Sequence, residues 1–178
     1  MEYALHDPQR EGRAHPGIEA TLHQLGVVLE DQGKLDEARA RLEASLEMQY
    51  TLYDPQCEGR AHPGIAVTLQ ALGGVLRAQG ELGEARARLE ASLEMKYALH
   101  DPQGEGRAHP EIAATLAVLG GVLHAQGELG EARASLEASL EMEYALYDPQ
   151  REGRAHPGIA ATLHQLGRVL QAQGELGE

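Results

Sequence analysis

The chain repeats itself every 47 residues, and no other property of it narrows the choice of fold so far. Asp-Pro-Gln begins at Asp7, Asp54, Asp101 and Asp148, and Ala-His-Pro at Ala14, Ala61, Ala108 and Ala155, with no insertion or deletion between copies. With Met1 as phase 1, residues 1–178 read as one array of units 1–47, 48–94 and 95–141 and a partial unit 142–178. A repeat of this size is a supersecondary piece that buries its apolar face only against its neighbours.

Each unit reads as two helices. Helix A begins at His15-Pro16, where proline suits a first turn because its missing N–H has no partner there anyway. It carries the helical stripe Ile18, Leu22, Leu25 and Leu29, and Gly33 stops it. Helix B follows with Leu35, Ala38, Leu42, Ser45, Leu46 and Tyr50 on one stripe, ending near Leu52 or Tyr53 because Pro55 disfavours α geometry before it. The Pro- and Gly-rich segment Asp-Pro-Gln-x-Glu-Gly-Arg-Ala is the loop to the next unit. Two-helix units stacked in this way make an all-α, elongated, superhelical solenoid.

Composition excludes several classes. Phe and Trp are absent, and no apolar run approaches the length of a membrane span. The beginning, MEYALHDPQR, has neither the basic region nor the apolar core of a secretory signal. A single cysteine, Cys57, rules out an internal disulfide and fits a reducing, cytoplasmic setting. The net charge of −13 repels phosphate backbones and anionic lipid, so neither nucleic acid nor a membrane surface is an expected partner.

The stretch TLHQLGVVLEDQGKLDEARARLEASLEM resembles the tetratricopeptide signature, through Leu25-Gly26, Leu29, Gly33, Ala38, Leu42 and Leu46. The set recurs as Leu72-Gly73, Leu76, Gly80, Ala85, Leu89 and Leu93, and again from Leu119-Gly120 to Leu140. The opening HPGIxxTLxxLG and the long unit are similar to the kinesin-light-chain-type branch, which is also found as the sensor array of some NB-ARC proteins. The resemblance implies a right-handed superhelix of helix–turn–helix repeats, a non-catalytic role, and a concave groove lined by helices A that holds protein or peptide. Ser45, Ser92 and Ser139 stand where the family usually has Ala, a change expected to be harmless. The unit also exceeds the basic repeat of roughly 34 residues, so either helix B or the loop must be longer.

The four copies can be compared with one another. Over phases 1–37, 23 positions are identical and 14 differ. On a helical wheel the differing phases 17, 19, 20, 23, 24, 27, 30 and 31 of helix A fall within roughly 160°, facing away from the apolar stripe. Phases 37–47 of helix B differ only at Arg41, Arg88 and Ser135. Change concentrated on helix A marks that face as a ligand surface, and the resemblance implies the same positions. The expected lining is His23, Gln24, Val27, Glu30 and Asp31, then Gln70, Gly74 and Arg77, then Val118, Gly121 and His124, and finally His164, Gln165, Arg168 and Gln171. This order predicts an extended ligand with a cationic end near Glu30 and Asp31 and an anionic end near Arg168, Arg77 clamping a carboxylate.

No H-E-x-x-H, C-x-x-C or phosphate-loop motif occurs. His15, His62, His109 and His156 share one phase on successive helices, about 8–10 Å apart. They therefore cannot converge on one ion and are assigned to the helix A N-terminus. No metal, cofactor or catalytic residue is expected. The function expected is a protein- or peptide-binding scaffold module, part of a larger multidomain protein. The alternative is a structural spacer or self-assembly element. The fourth helix A lacks its helix B, which predicts either continuation in a longer array or a symmetric homodimer through Ile159, Leu163, Leu166 and Leu170, together with Leu176.

Overall fold

A computed structural model describes residues 15–54, 59–147 and 156–174. Cys57, Leu176 and the loop segments at Asp7 and Asp148 lie outside the described residues. Among the described residues the chain forms seven helices and no strand: α1 Pro16–Asp31, α2 Leu35–Tyr53, α3 Pro63–Gln79, α4 Leu82–His100, α5 Pro110–Gln126, α6 Leu129–Leu146 and α7 Pro157–Gln173. The odd-numbered helices are copies of helix A and the even-numbered ones of helix B. They divide into two compact units, residues 1–60 with α1 and α2, and residues 61–178 with the others.

The ends of helix A are set locally. Each begins with proline, preceded by a histidine in extended geometry. In α1, α3 and α5 the imidazole Nδ1 of that histidine accepts an amide N–H from two residues on, at 3.1 Å for His15, 3.2 Å for His62 and 3.3 Å for His109. One of the orphan donors of the first turn is thereby satisfied. At the other end Gly80, Gly127 and Gly174 take φ of 84°, 84° and 75°, a left-handed conformation that a side chain would oppose. After helix B the chain turns on an aspartate. Buried Asp101 accepts the amides of Glu105 at 2.9 Å and Gly106 at 2.8 Å, and Asp54 accepts that of Gly59 at 2.9 Å. Part of the unit's extra length goes into helix B, which reaches 19 residues in α2 and α4.

Each hairpin closes by the same two contacts. Gly26, Gly73 and Gly120 are notches for Leu42, Leu89 and Leu136, for a Cβ at any of these glycines would lie 2.6 Å from the leucine Cγ. Buried Ser45, Ser92 and Ser139 donate to the carbonyls of Glu19, Ala66 and Ala113 at 2.7–2.8 Å. The serine that replaces the family's alanine thus uses its hydroxyl to tie helix B to helix A. This also corrects the helical wheel. Phase 19 was placed on the outward face, yet Glu19, Ala66 and Ala113 are buried on the side of helix A that meets helix B.

In the second unit α4 also packs on α5 and α6 on α7, so its hairpins stack side by side. There α5 has a helix B on either side, and Ile112 and Leu119 of its stripe are 0% and 5% exposed. In the first unit α1 has only α2 among the described residues, and Ile18 and Leu25 stay 48% and 40% exposed. The stripe read from the sequence is therefore broader than one hairpin can cover. Two neighbours are needed to bury it.

Candidate functional site

The second unit carries a cavity of about 360 Å³ on its helix A face, a volume in the range of small-ligand sites. Arg77 reaches it from the end of α3, Gly121, His124 and Ala125 from α5, and Gln165 and Arg168 from α7; Gly120, Leu136 and Val169 form the apolar wall. The polar residues have phases 24, 27 and 30, one turn apart on their helices, so stacking three helices A lines them up.

The cavity is cationic in a chain of net charge −13. Among the described residues neither Arg77 nor Arg168 has an ion-pair partner. Both are exposed at the rim, with His124 half-buried between them. Gly121 is the point of closest approach. A Cβ there would lie 3.0 Å from Gln165 Oε1 and 3.1 Å from an Arg77 guanidinium nitrogen. Glycine leaves bare backbone beneath two side-chain tips, and the arginines stay free to fork onto a carboxylate.

Of the residues expected to line the groove, none is buried, and Arg77, Gly121, His124, Gln165 and Arg168 come together in this cavity. Gly74, Val118, His164 and Gln171 lie on the same helices but do not line it. His23, Gln24, Val27, Glu30 and Asp31 belong to the first compact unit. There His23 is held below the usual imidazole range by burial, against the pull of Glu19.

Gln70 departs from expectation, because its amide oxygen accepts from Lys96 Nζ and also faces the Thr115 hydroxyl at 3.2 Å. Lys96 is fully buried near the end of α4, and it donates to Thr115 Oγ1 at 2.8 Å and to the Glu111 carbonyl at 3.4 Å. Burial pushes the Lys96 ammonium down to about 8, partly offset by Glu111. Gln49 and Glu143 are the residues of the same phase. Gln49 donates to the Glu19 carboxylate at 2.6 Å, while buried Glu143 has an Oε2 with no partner among the described residues. A polar position at the end of helix B therefore reaches the helix A residues. Its signal is in the copies, since phase 2 reads Glu2, Gln49, Lys96 and Glu143 and helix B runs on into phases 1–6 of the next unit.

The histidine column behaves as expected, each described member standing at the start of its own helix A. His100, of phase 6, stacks on His109.

Models of the tetratricopeptide repeat match residues 17–98 and 112–142, together more than half of the chain. The chain belongs to the tetratricopeptide repeat family, whose members are generally protein-interaction scaffolds. Its fold is similar to that of BtubC (BKLC) from P. vanneervenii, with a TM-score of 0.72 at 20% identity over 98% of this chain. The chain spans 61% of the length of that protein. A putative kinesin light chain with nearly identical TPR-like repeats from Podosopora anserina gives a TM-score of 0.68 at 24% identity over 94% of this chain and 74% of that one. The Sgt2 TPR domain from Aspergillus fumigatus gives 0.58 at 13% identity, over 93% of this chain and 87% of that one. The kinesin-light-chain resemblance thus holds at the level of fold. No curated protein matches the sequence. No described helix is long and apolar enough to cross a membrane.

Proposed function

We propose that the chain is a non-catalytic, cytoplasmic binding module that holds an extended protein or peptide segment along the helix A face. The observation that carries this is the cavity lined by Arg77, His124, Gln165 and Arg168. Two arginines without acidic partners, brought together from helices two repeats apart, suit an acidic side chain or a terminal carboxylate. The overall charge of −13 disfavours nucleic acid and anionic membrane as the source of that anion, because both would meet long-range repulsion. Contacts at an exposed rim are individually modest, so micromolar affinity follows.

The test is fluorescence anisotropy with labelled extended peptides bearing a Glu-rich, a Lys-rich or a neutral end. Binding of the Glu-rich peptide, weakened at least about tenfold by Arg77→Glu with Arg168→Glu, supports the reading. Arg39→Glu and Arg86→Glu lie on helix B, and equal damage from them rejects the groove. A second reading, self-association through α7, is favoured by Leu163, which is 44% exposed, and by Gly167, whose Cβ position meets no packed neighbour within 4 Å among the described residues, where its counterpart Gly120 meets Leu136. Ile159 is not part of that face as expected, for it is only 7% exposed in the unit where α6 packs on α7. Leu166 and Leu170 are partly exposed.

A further inference from the structure

We propose that His100, His109 and Glu111 form a binding site for a divalent transition-metal ion of the zinc type at the α4–α5 turn. One ligand atom from each of the three lies within 4.8 Å of the others, and His100 Nε2 stands 3.6 Å from Glu111 Oε2. Two ligands of one tetrahedral zinc, bound at about 2.0–2.1 Å, are themselves about 3.3 Å apart. The farthest pair therefore has to close by up to about 1.5 Å, and His100 and Glu111 by only about 0.3 Å. The loop that delivers His109 and Glu111 to the end of α4 is fastened by Asp101 through the amides of Glu105 and Gly106.

The donor atoms have the lone pairs an ion needs. His100 Nε2 is buried and has no hydrogen-bond partner among the described residues, a cost that coordination removes. His109 carries a lone pair on Nδ1, which accepts the Glu111 amide over a long 3.3 Å, and an ion takes over that weak contact. The two rings are stacked at 3.5 Å and 8°, with lone pairs side by side rather than converging. Binding turns the His100 ring, whose side chain is 26% exposed, out of the stack toward Glu111. That rearrangement and the nearby Lys96 ammonium keep the affinity micromolar.

The composition of the junction points the same way. At the next turn Tyr147 stacks on His156 with nearly the same geometry, 3.8 Å and 8°, so tyrosine suffices for the packing. Phase 6 reads His6, Tyr53, His100 and Tyr147, and phase 17 is Gly17, Gly64 and Gly158 where this junction has Glu111. Of the four units, this one combines a phase-6 histidine with a phase-17 carboxylate. A packing role needs neither.

The sister copies also supply the test. His100→Tyr and Glu111→Gly install residues that the same fold already carries at other junctions, so both variants fold. The full chain is titrated with Zn2+ by calorimetry and with Co2+ by visible absorption, and the thermal midpoint is followed with saturating Zn2+. The expected result is one ion per chain with micromolar affinity, a tetrahedral or five-coordinate Co2+ spectrum, and a midpoint raised by Zn2+. Each variant should weaken binding at least about tenfold. Absence of saturable binding below about 100 μM overturns the proposal, as does binding unchanged in both variants.

Discussion

Replacing Gly120 by alanine asks whether glycine holds α5 and α6 together or is merely tolerated. An added Cβ would stand 2.6 Å from Leu136 Cγ, 2.9 Å from its Cδ2 and 3.3 Å from the Ala132 carbonyl oxygen. Carbons rest at about 3.5–4.0 Å, so the overlap with Cγ is about 1 Å. Leu136 is fully buried and the clash falls on its branch point rather than on a flexible tip, so the helices themselves must part. Overpacking of this kind costs about 1–3 kcal/mol, against a propensity gain of up to about 1 kcal/mol for removing glycine from a helix interior. Gly120→Ala is therefore expected to destabilise by about 1–2 kcal/mol. Gly167 has the same phase in α7, but among the described residues no packed neighbour lies within 4 Å of where its Cβ would be. Only the propensity gain remains there, and Gly167→Ala should stabilise by up to about 1 kcal/mol. The thermal midpoint reads this at about 2–4 °C per kcal/mol, and amide exchange in α5, α6 and α7 reports which helices respond. The notch argument is refuted if Gly120→Ala matches or exceeds the parent in stability, or if the two substitutions shift it in the same direction by the same amount.

Lys96 gives a pH prediction. Its folded value of about 8 lies below the ordinary 10.5, so between these pH values the unfolded chain binds the extra proton and stability rises with pH, while below about 8 this contribution is flat. At about 1.36 kcal/mol per unit, and allowing for solvent screening, a rise of about 1–3 kcal/mol is expected. Urea unfolding at pH 7.5 and pH 10 should show it in the parent and not in Lys96→Gln, which installs the residue found at Gln49. For the α7 face, light scattering at about 100 μM is expected to show dimers that Leu163→Glu dissociates, whereas a strictly monomeric parent rejects self-association.

Helix limits were legible because their causes are local. His15-Pro16 and its copies start helix A, and a glycine that accepts positive φ ends it, whatever surrounds them. The outward face was legible in part. The wheel set Arg77, Gly121, His124 and Arg168 on it, and they do line one cavity. It misassigned Glu19, Ala66 and Ala113, because the arc that helix B covers is wider than the leucine stripe, and a wheel has no record of how far a neighbour reaches. Gln70 was expected in the groove lining, yet the end of α4 brings Lys96 to it.

The sequence by itself determined the repeat, the two helices in each unit, their caps and their apolar stripes, because each rests on contacts between residues near in the chain or on an exact period. Only the tertiary structure decided that Arg77, His124 and Arg168 share one cavity, that Lys96 is buried against Thr115, and that His100 lies on His109 beside Glu111. Those meetings depend on the angle and offset at which one hairpin stacks on the next. Offset and angle follow from how whole helix surfaces interlock, which a period along the chain leaves open.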